Sequence, residues 1–389
     1  MFQRLLKPLT SKTFFLFGAR GTGKSTWLEK QFFTQNPFWI DLLDPDQEDR
    51  YLRNPKALEL DLLDRINKNQ YPDWVIIDEV QKAPKLLDVV HRLIEKEKLK
   101  FVLTGSSARK LKRGHANLLG GRALVYALFP FSYHELGEHF DLDFVLNWGS
   151  LPEVINAKND REKIAILRSY TQTYLKEEVL IEQLIRQLVP FKNFLEIAAQ
   201  MNAQRLNYEK IASQIGVDNK TVQNYFEILE ETYLGTKLSA YHQSIRKSQL
   251  LAPKFYWFDT GIKRFLTGEI HSKLVKNTFS YGLEFETFMI NEIIKLNTYK
   301  ELDYRLSYLQ TKNGSEIDLI LTRGKETIAL EIKSSLKIDE KEVRAFEAMA
   351  KDLPGPKKLY YVSQDPHSVQ LGQAHCIFWQ QFLDILEKL

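Results

Sequence analysis

Gly18-Ala19-Arg20-Gly21-Thr22-Gly23-Lys24-Ser25 limits what this chain can fold into more than any other stretch, because it completes the pattern GxxxxGK[ST] directly after the apolar run Thr13-Phe14-Phe15-Leu16-Phe17. An apolar run without polar alternation predicts a strand buried on both faces. The glycines let the backbone curl until successive amide hydrogens converge on phosphate oxygens; Lys24 reaches the same oxygens, and Ser25 offers a hydroxyl to Mg²⁺. Thr26 to Lys30 then reads as a helix whose positive end faces the phosphates. Strand, loop and helix in this order predict an α/β domain that binds ATP with Mg²⁺, held by Gly18, Gly21, Thr22, Gly23, Lys24, Ser25 and Thr26.

Trp74-Val75-Ile76-Ile77-Asp78-Glu79 supplies the second half of such a site. It reads as a buried strand ending in two carboxylates. Asp78 would join the Mg²⁺ shell and Glu79 would polarise the water that attacks the γ-phosphate. An acidic pair at a strand end can equally be a helix N-cap; a complete phosphate loop upstream favours the catalytic reading. Phe38 to Leu42, Phe101 to Thr104 and Ala123 to Leu128 extend the sheet, with helices between them, so the strands are parallel and covered on both faces.

The order GARGTGKST, VIIDEVQ, VLTGSS and GRALVYALFPFSYHEL resembles the prokaryotic AAA-family ATPases that carry a nuclease-like C-terminal region. The resemblance extends over nearly the whole chain and implies an ATPase, leaving its client open. It suggests that Thr104 or Ser106 is a polar sensor near the γ-phosphate, the competing reading being a plain polar turn. Arg122 stands where such proteins place an arginine finger, acting within the chain or from a neighbouring subunit; a surface arginine after a Gly-Gly turn is the alternative. His134 and His139 imitate a zinc-protease helix, but that motif needs histidines four apart. Five apart, they are rotated by about 140° at roughly 3.6 residues per turn, and they read as solvated or core histidines.

Arg161 to Gln204 is helix-like, with Ile164, Leu167, Tyr170, Tyr174, Val179 and Leu180 at three- and four-residue spacing. Beyond it, Asn207 to Val222 carries Ala212 for close helix approach, Gly216 for a turn and Val222 as an apolar anchor, the pattern of a helix-turn-helix. Asp218 would cap the second helix. Its early residues Asn219, Lys220, Thr221, Gln223 and Asn224 can touch bases or phosphates, whereas Glu227, Glu230 and Glu231 would repel a phosphate backbone. Tyr233 to Ala240 and Lys254 to Phe258 could form a wing. Docking onto protein is the competing use of such a module.

In the last third, Glu316-Ile317-Asp318-Leu319-Ile320-Leu321 and Ile328-Ala329-Leu330-Glu331-Ile332-Lys333 read as two strands joined at Arg323-Gly324-Lys325. A period of two throws Glu331 and Lys333 onto one face, with Leu330 and Ile332 in the core. Asp318 reaches the same face from the paired strand. Asp followed by Glu-x-Lys resembles the PD-(D/E)xK nuclease motif, and Glu286, on a helix opening at Gly282, matches the acid such folds bring from an earlier helix. This resemblance implies Mg²⁺ or Mn²⁺ on Glu286, Asp318 and Glu331, with Lys333 orienting the attacking water. A salt-bridged hairpin is the structural alternative.

Length then fits the motifs: 389 residues exceed one compact domain at about 150 residues each. The expected organisation is an AAA-type P-loop domain over 1–140, a helical connector over 141–205, a winged helix-turn-helix over 206–270 and a restriction-endonuclease-like α/β domain over 275–389. One cysteine, Cys376, excludes an internal disulfide and a multi-cysteine zinc site, and suggests a reducing, cytoplasmic setting. The absence of a long uncharged apolar run argues against a membrane span. With 54 Lys and Arg against 50 Asp and Glu, net charge is +4, so any DNA contact must be local. The sequence favours an ATPase acting on DNA, possible as a homo-oligomer. A nucleotide-gated interaction switch whose C-terminal site does not cleave is the alternative, and a small-molecule P-loop kinase is a weaker one.

Overall fold

The computed structural model describes residues 2–107, 111, 119–174, 188–242, 251–311, 314–351 and 353–389. Val179 and Leu180, expected in the connector, lie outside them. One compact unit is built on residues up to Phe131, joined by Glu231–Leu234; the other is built from Ser132 onward.

In the first unit, β1 (Thr13–Phe17), β2 (Phe38–Asp41), β3 (Val75–Asp78), β4 (Phe101–Gly105) and β5 (Ala123–Ala127) form a sheet in the order β2-β3-β4-β1-β5. Every pairing in it is parallel. Helices α1 (Lys24–Phe32), α2 (Pro45–Arg53), α3 (Ala57–Asn67) and α4 (Leu86–Glu97) make the crossovers. All five residues of β1 are buried, as its unalternated apolar sequence predicts. On one face Phe15 and Phe17 stack at 5.4 Å and join a core with Leu58, Leu62 and Leu93. On the other, Phe14 meets Phe32 and Trp74. Burying each of these rings contributes about 1.5–3 kcal/mol, which fixes the strand that launches the phosphate loop. Because β4 lies between β1 and β3, its end faces both the loop and the acidic strand.

The second unit begins with α5 (Tyr133–Leu136), α6 (Leu142–Trp148), α7 (Pro152–Ile155), α8 (Asp160–Ser169) and α9 (Leu188–Gln200). Next, α10 (Tyr208–Ile215) and α11 (Asn219–Glu231) are separated by a turn at Gly216, and Asp218 caps α11 by accepting hydrogen bonds from the Thr221 amide at 2.8 Å and the Thr221 hydroxyl at 2.7 Å. β6 (Gly235–Ala240) and β7 (Lys254–Trp257) pair antiparallel. They do not stop there. β6 also pairs in parallel with β8 (Arg305–Gln310) at Ser239–Ser307 and Ala240–Tyr308, so the expected wing continues the C-terminal sheet.

That sheet runs β12-β13-β11-β10-β9-β8-β6-β7, with β9 (Glu316–Arg323), β10 (Glu326–Ile332), β11 (Lys357–Ser363), β12 (Val369–Leu371) and β13 (Ala374–Phe378). The helices here are α12 (Thr260–Leu266), α13 (Phe279–Tyr299), α14 (Glu340–Ala350) and α15 (Trp379–Glu387). Leu359 and Tyr361 of β11 share a core with Val343 and Phe346 of α14, whereas Tyr360 meets Phe382 of α15 at 5.3 Å. The period of two therefore places helices on opposite faces. Both faces are covered, and Glu331 is accordingly 7% exposed. No helix among the described residues is long and apolar enough to cross a membrane.

Candidate functional site

Two clusters of chemistry emerge, one in each unit. In the first, Gly21 and Gly23 take φ of 76° and 88°, left-handed values that glycine adopts without a Cβ penalty, and these turns curl the loop ahead of α1. Gly18 is required for closeness instead: a Cβ there would lie 2.2 Å from the Leu128 carbonyl oxygen. Lys24 is 6% exposed, and its Nζ donates to the carbonyls of Gly18 at 2.8 Å and Ala19 at 3.2 Å, so its charge is held inside the loop. The Thr22 hydroxyl donates to the Ala19 carbonyl at 2.8 Å. Ser25 Oγ donates to Asp78 Oδ2 at 2.6 Å, bringing together the two expected metal-shell groups. Thr26 follows in the first turn of α1.

β4 completes this cluster. The Thr104 hydroxyl bonds Asp78 Oδ1 and accepts from the Glu79 amide at 3.0 Å. Glu79 has φ 59°, a strained value for a residue with a Cβ, and the Thr104 contact helps to hold it. Gln81 is the residue that sequence motifs did not single out. Its Nε2 bonds the Glu79 carboxylate and lies 3.3 Å from Ser106 Oγ, linking the base candidate to the sensor candidate. A signal exists in hindsight, since Gln81 follows Asp78-Glu79 within the same turn.

Arg122 stands elsewhere. It precedes Ala123, which pairs with Thr13 at the start of β1, so it lies about 16 Å below the loop end of the sheet at roughly 3.3 Å per residue. Its guanidinium pairs with Glu95 of α4. The expectation that Arg122 could act on its own chain's loop is corrected: the start of β5 and the end of β1 are at opposite ends of two neighbouring parallel strands.

In the second unit, Ile332 N donates to Asp318 Oδ2 at 2.7 Å, and Lys333 Nζ pairs with Glu331 Oε1 at 2.6 Å. Burial, then the neighbouring Asp318 charge, pushes Glu331 up to about 8. For Lys333, burial disfavours the charge, but Asp318 and Glu331 outweigh it and raise the ammonium above its usual range. Glu286 accepts from Tyr256 Oη at 2.7 Å and lies 3.3 Å from Lys254 Nζ. Burial pushes Glu286 up to about 7, against the pull of Lys254 and with the push of Asp318. Lys254 also pairs with Glu316. Thus Lys254 and Tyr256, two apart on β7, and Glu316, two before Asp318 on β9, join the four expected residues. The period of two makes Glu316 legible; β7 reaches this site only through tertiary pairing.

All acceptors here are oxygens, which suits Mg²⁺ or Mn²⁺. Glu331 Oε2 is buried without a hydrogen-bond partner, an acceptor that such an ion would satisfy. In donor chemistry the residues therefore suit a divalent ion. Even so, among the described residues no three His, Cys, Asp or Glu stand as a ready cation cluster, and Lys254 and Lys333 supply the positive charge between the acids. A cavity of about 460 Å³ beside α6 and α8 belongs to neither cluster.

On the exposed side of α11, Gln223 Nε2 donates to Asn219 Oδ1 at 3.0 Å, and Thr221 is engaged by Asp218. Lys220 and Gln223 are exposed, Asn224 is half-buried, and Glu227 is exposed one turn on. His134 lies 3.0 Å from Asp384, and the short helix holding it ends before His139.

The comparisons agree with the first cluster. A family model described as an AAA domain matches residues 10–137. Residues 10–137 are an AAA-type P-loop domain. Behind this AAA domain, residues 139–272 and 281–382 match two domains of unknown function, DUF8612 and DUF4143. An uncharacterized protein of Methanocaldococcus jannaschii is 24% identical over 374 residues, 90% of this chain and 81% of its own. One of Mycobacterium tuberculosis is 22% identical over 261 residues, 67% of this chain, and the chain spans 58% of that relative's length. A solved structure of the replication initiator DnaA bound to AMPPCP and single-stranded DNA covers 57% of this chain and 82% of its own at 15% identity, with a TM-score of 0.25.

Proposed function

We propose that the protein binds and hydrolyses ATP with Mg²⁺ at the AAA domain and uses the nucleotide state to control a DNA-directed C-terminal region. The observation that carries the ATPase reading is the chain of contacts Ser25–Asp78–Thr104–Glu79–Gln81–Ser106, set at the mouth of a complete phosphate loop. Ser25 and Asp78 would hold Mg²⁺, which neutralises charge developing on the phosphates. Glu79 takes the proton of the attacking water, Gln81 and Thr104 fix its carboxylate and backbone, and Lys24 turns from its loop carbonyls to the β- and γ-oxygens. Phosphate release is the test. Lys24→Ala is expected to abolish turnover, while Glu79→Gln keeps ATP binding and loses about 10²–10⁴-fold in rate; undiminished turnover in Lys24→Ala would sink the assignment.

In this reading α10, α11, β6 and β7 serve as a winged helix-turn-helix that presents Asn219, Lys220, Thr221, Gln223 and Asn224 to DNA. Glu286, Asp318, Glu331 and Lys333 form a PD-(D/E)xK-like site, where the bound ion would stabilise the phosphorane charge. Asp318 and Glu331 are its main ligands, and Lys333 orients water. Support comes from the convergence of these four residues and the unsatisfied Glu331 oxygen. Mn²⁺-dependent cleavage of single- and double-stranded DNA is expected to disappear in Asp318→Ala and Lys333→Ala. The second reading, a nucleotide-gated interaction switch, is favoured by the lysines held among the acids, and absence of cleavage on every substrate would support it.

A further inference from the structure

The carboxylate site contains a cation of its own. Lys254 is 4% exposed, and its ammonium reaches Glu316 and, at 3.3 Å, Glu286. Tyr256, on the same face of β7, donates to the same Glu286 oxygen at 2.7 Å. These are not groups from the motif strands. β7 is an edge strand joined to the C-terminal sheet through β6, whose pairing with β8 spans two residue pairs.

We infer that Lys254 is a resident counter-ion that competes with a divalent cation for the Glu286–Glu316 side of the site, so that loading the ion releases this lysine. The inference rests on the nuclease-like reading of the acids but not on cleavage. Four carboxyl groups, Glu286, Glu316, Asp318 and Glu331, surround two ammonium groups, Lys254 and Lys333. Glu331 Oε2, buried and without a hydrogen bond, points to an incompletely satisfied cluster. Glu286 cannot turn fully toward an incoming ion while it accepts from both Lys254 and Tyr256. Lys333 differs in kind: it bonds Glu331 from the end of the same strand and is 32% exposed, so it can yield without any change in β7.

The device also gives the middle of the chain a route to the site. Any event that draws β7 or Lys254 away would leave Glu286 and Glu316 uncompensated and raise ion affinity. Conversely, ion binding would make Lys254 accessible.

The full-length protein, wild type and Lys254→Met, is titrated with Mn²⁺ alone by calorimetry, and lysine acylation is mapped by mass spectrometry with and without Mn²⁺. Lys254 is expected to resist acylation without Mn²⁺ and to react with it, and Lys254→Met is expected to bind Mn²⁺ at least tenfold more tightly. Binding in the variant alone supports the inference equally. Mn²⁺ binding that leaves Lys254 protected, or no Mn²⁺ binding by either protein, overturns it. If circular dichroism shows that Lys254→Met does not fold, Glu316→Gln replaces it, with increased Lys254 acylation in the Mn²⁺-free protein as the expected result and unchanged protection as the contrary one. A site that binds Mn²⁺ with release of Lys254 but cuts no DNA would sink the nuclease reading and leave this inference standing.

Discussion

Single side chains carry most of the chemistry, and their surroundings decide what each can do. Glu284 and Glu286 sit two apart on α13, about 200° around it at roughly 100° per residue. Glu284 pairs with Lys263 at 2.6 Å and is 1% exposed, whereas Glu286 faces Lys254 and Tyr256. Sequence reading chose Glu286 of the two by resemblance; packing shows that Glu284 forms a structural pair while Glu286 faces the site. Glu331 and Glu286 are pushed up to about 8 and about 7, first by burial. An acid with a raised folded pKa favours the folded state while protonated. Its contribution is fully present below the unfolded value near 4.5 and is lost as pH rises through 7 to 8. Urea melts of metal-free protein should therefore show this contribution to stability falling from about pH 5 to about pH 8, and Glu331→Gln should flatten that fall. Parallel pH profiles for wild type and variant would count against it.

At the scale of elements, strands were the most legible. The unalternated apolar runs at 13–17, 75–78 and 101–105 all became buried parallel strands, since a strand covered on both faces has no use for polar positions. The start of α11 was legible because a side chain caps it: Asp218 accepts from the Thr221 amide three residues on. What α12 packs against was not legible. Its Lys263 enters the core to meet Glu284 and also reaches Glu269 at 3.1 Å, so removing the lysine leaves the buried Glu284 carboxylate without its ion-pair partner, at a cost of about 3–5 kcal/mol. Lys263→Met is expected to lose stability by about that amount in denaturant melts. The double change Lys263→Met with Glu284→Leu should lose distinctly less; equal losses would show that the pair's charges are not the cause.

For the molecule as a whole, the placement of Arg122 bears on assembly. An arginine at the end of its own strands opposite the loop can serve as a finger only on another copy. If it does, Lys24→Ala and Arg122→Ala proteins are each inactive alone, and mixing them restores part of the ATP turnover. No recovery on mixing, or full turnover by Arg122→Ala alone, would rule the finger out. Solution mass with and without ATP provides the accompanying measurement.

The phosphate loop, the acidic strand end and the shared face of Asp318, Glu331 and Lys333 could be read from sequence alone, because each depends on one strand and its turn or on one hairpin, where spacing dictates direction. Tertiary structure decided three other things. It put β4 between β1 and β3, so Thr104 could reach Asp78; it joined β6 and β7 to the C-terminal sheet, so Lys254 could reach Glu286; and it set Arg122 at the opposite end of the strands from its own loop. All three depend on which strands lie side by side. That order follows from burying whole faces at once, and no local spacing records it.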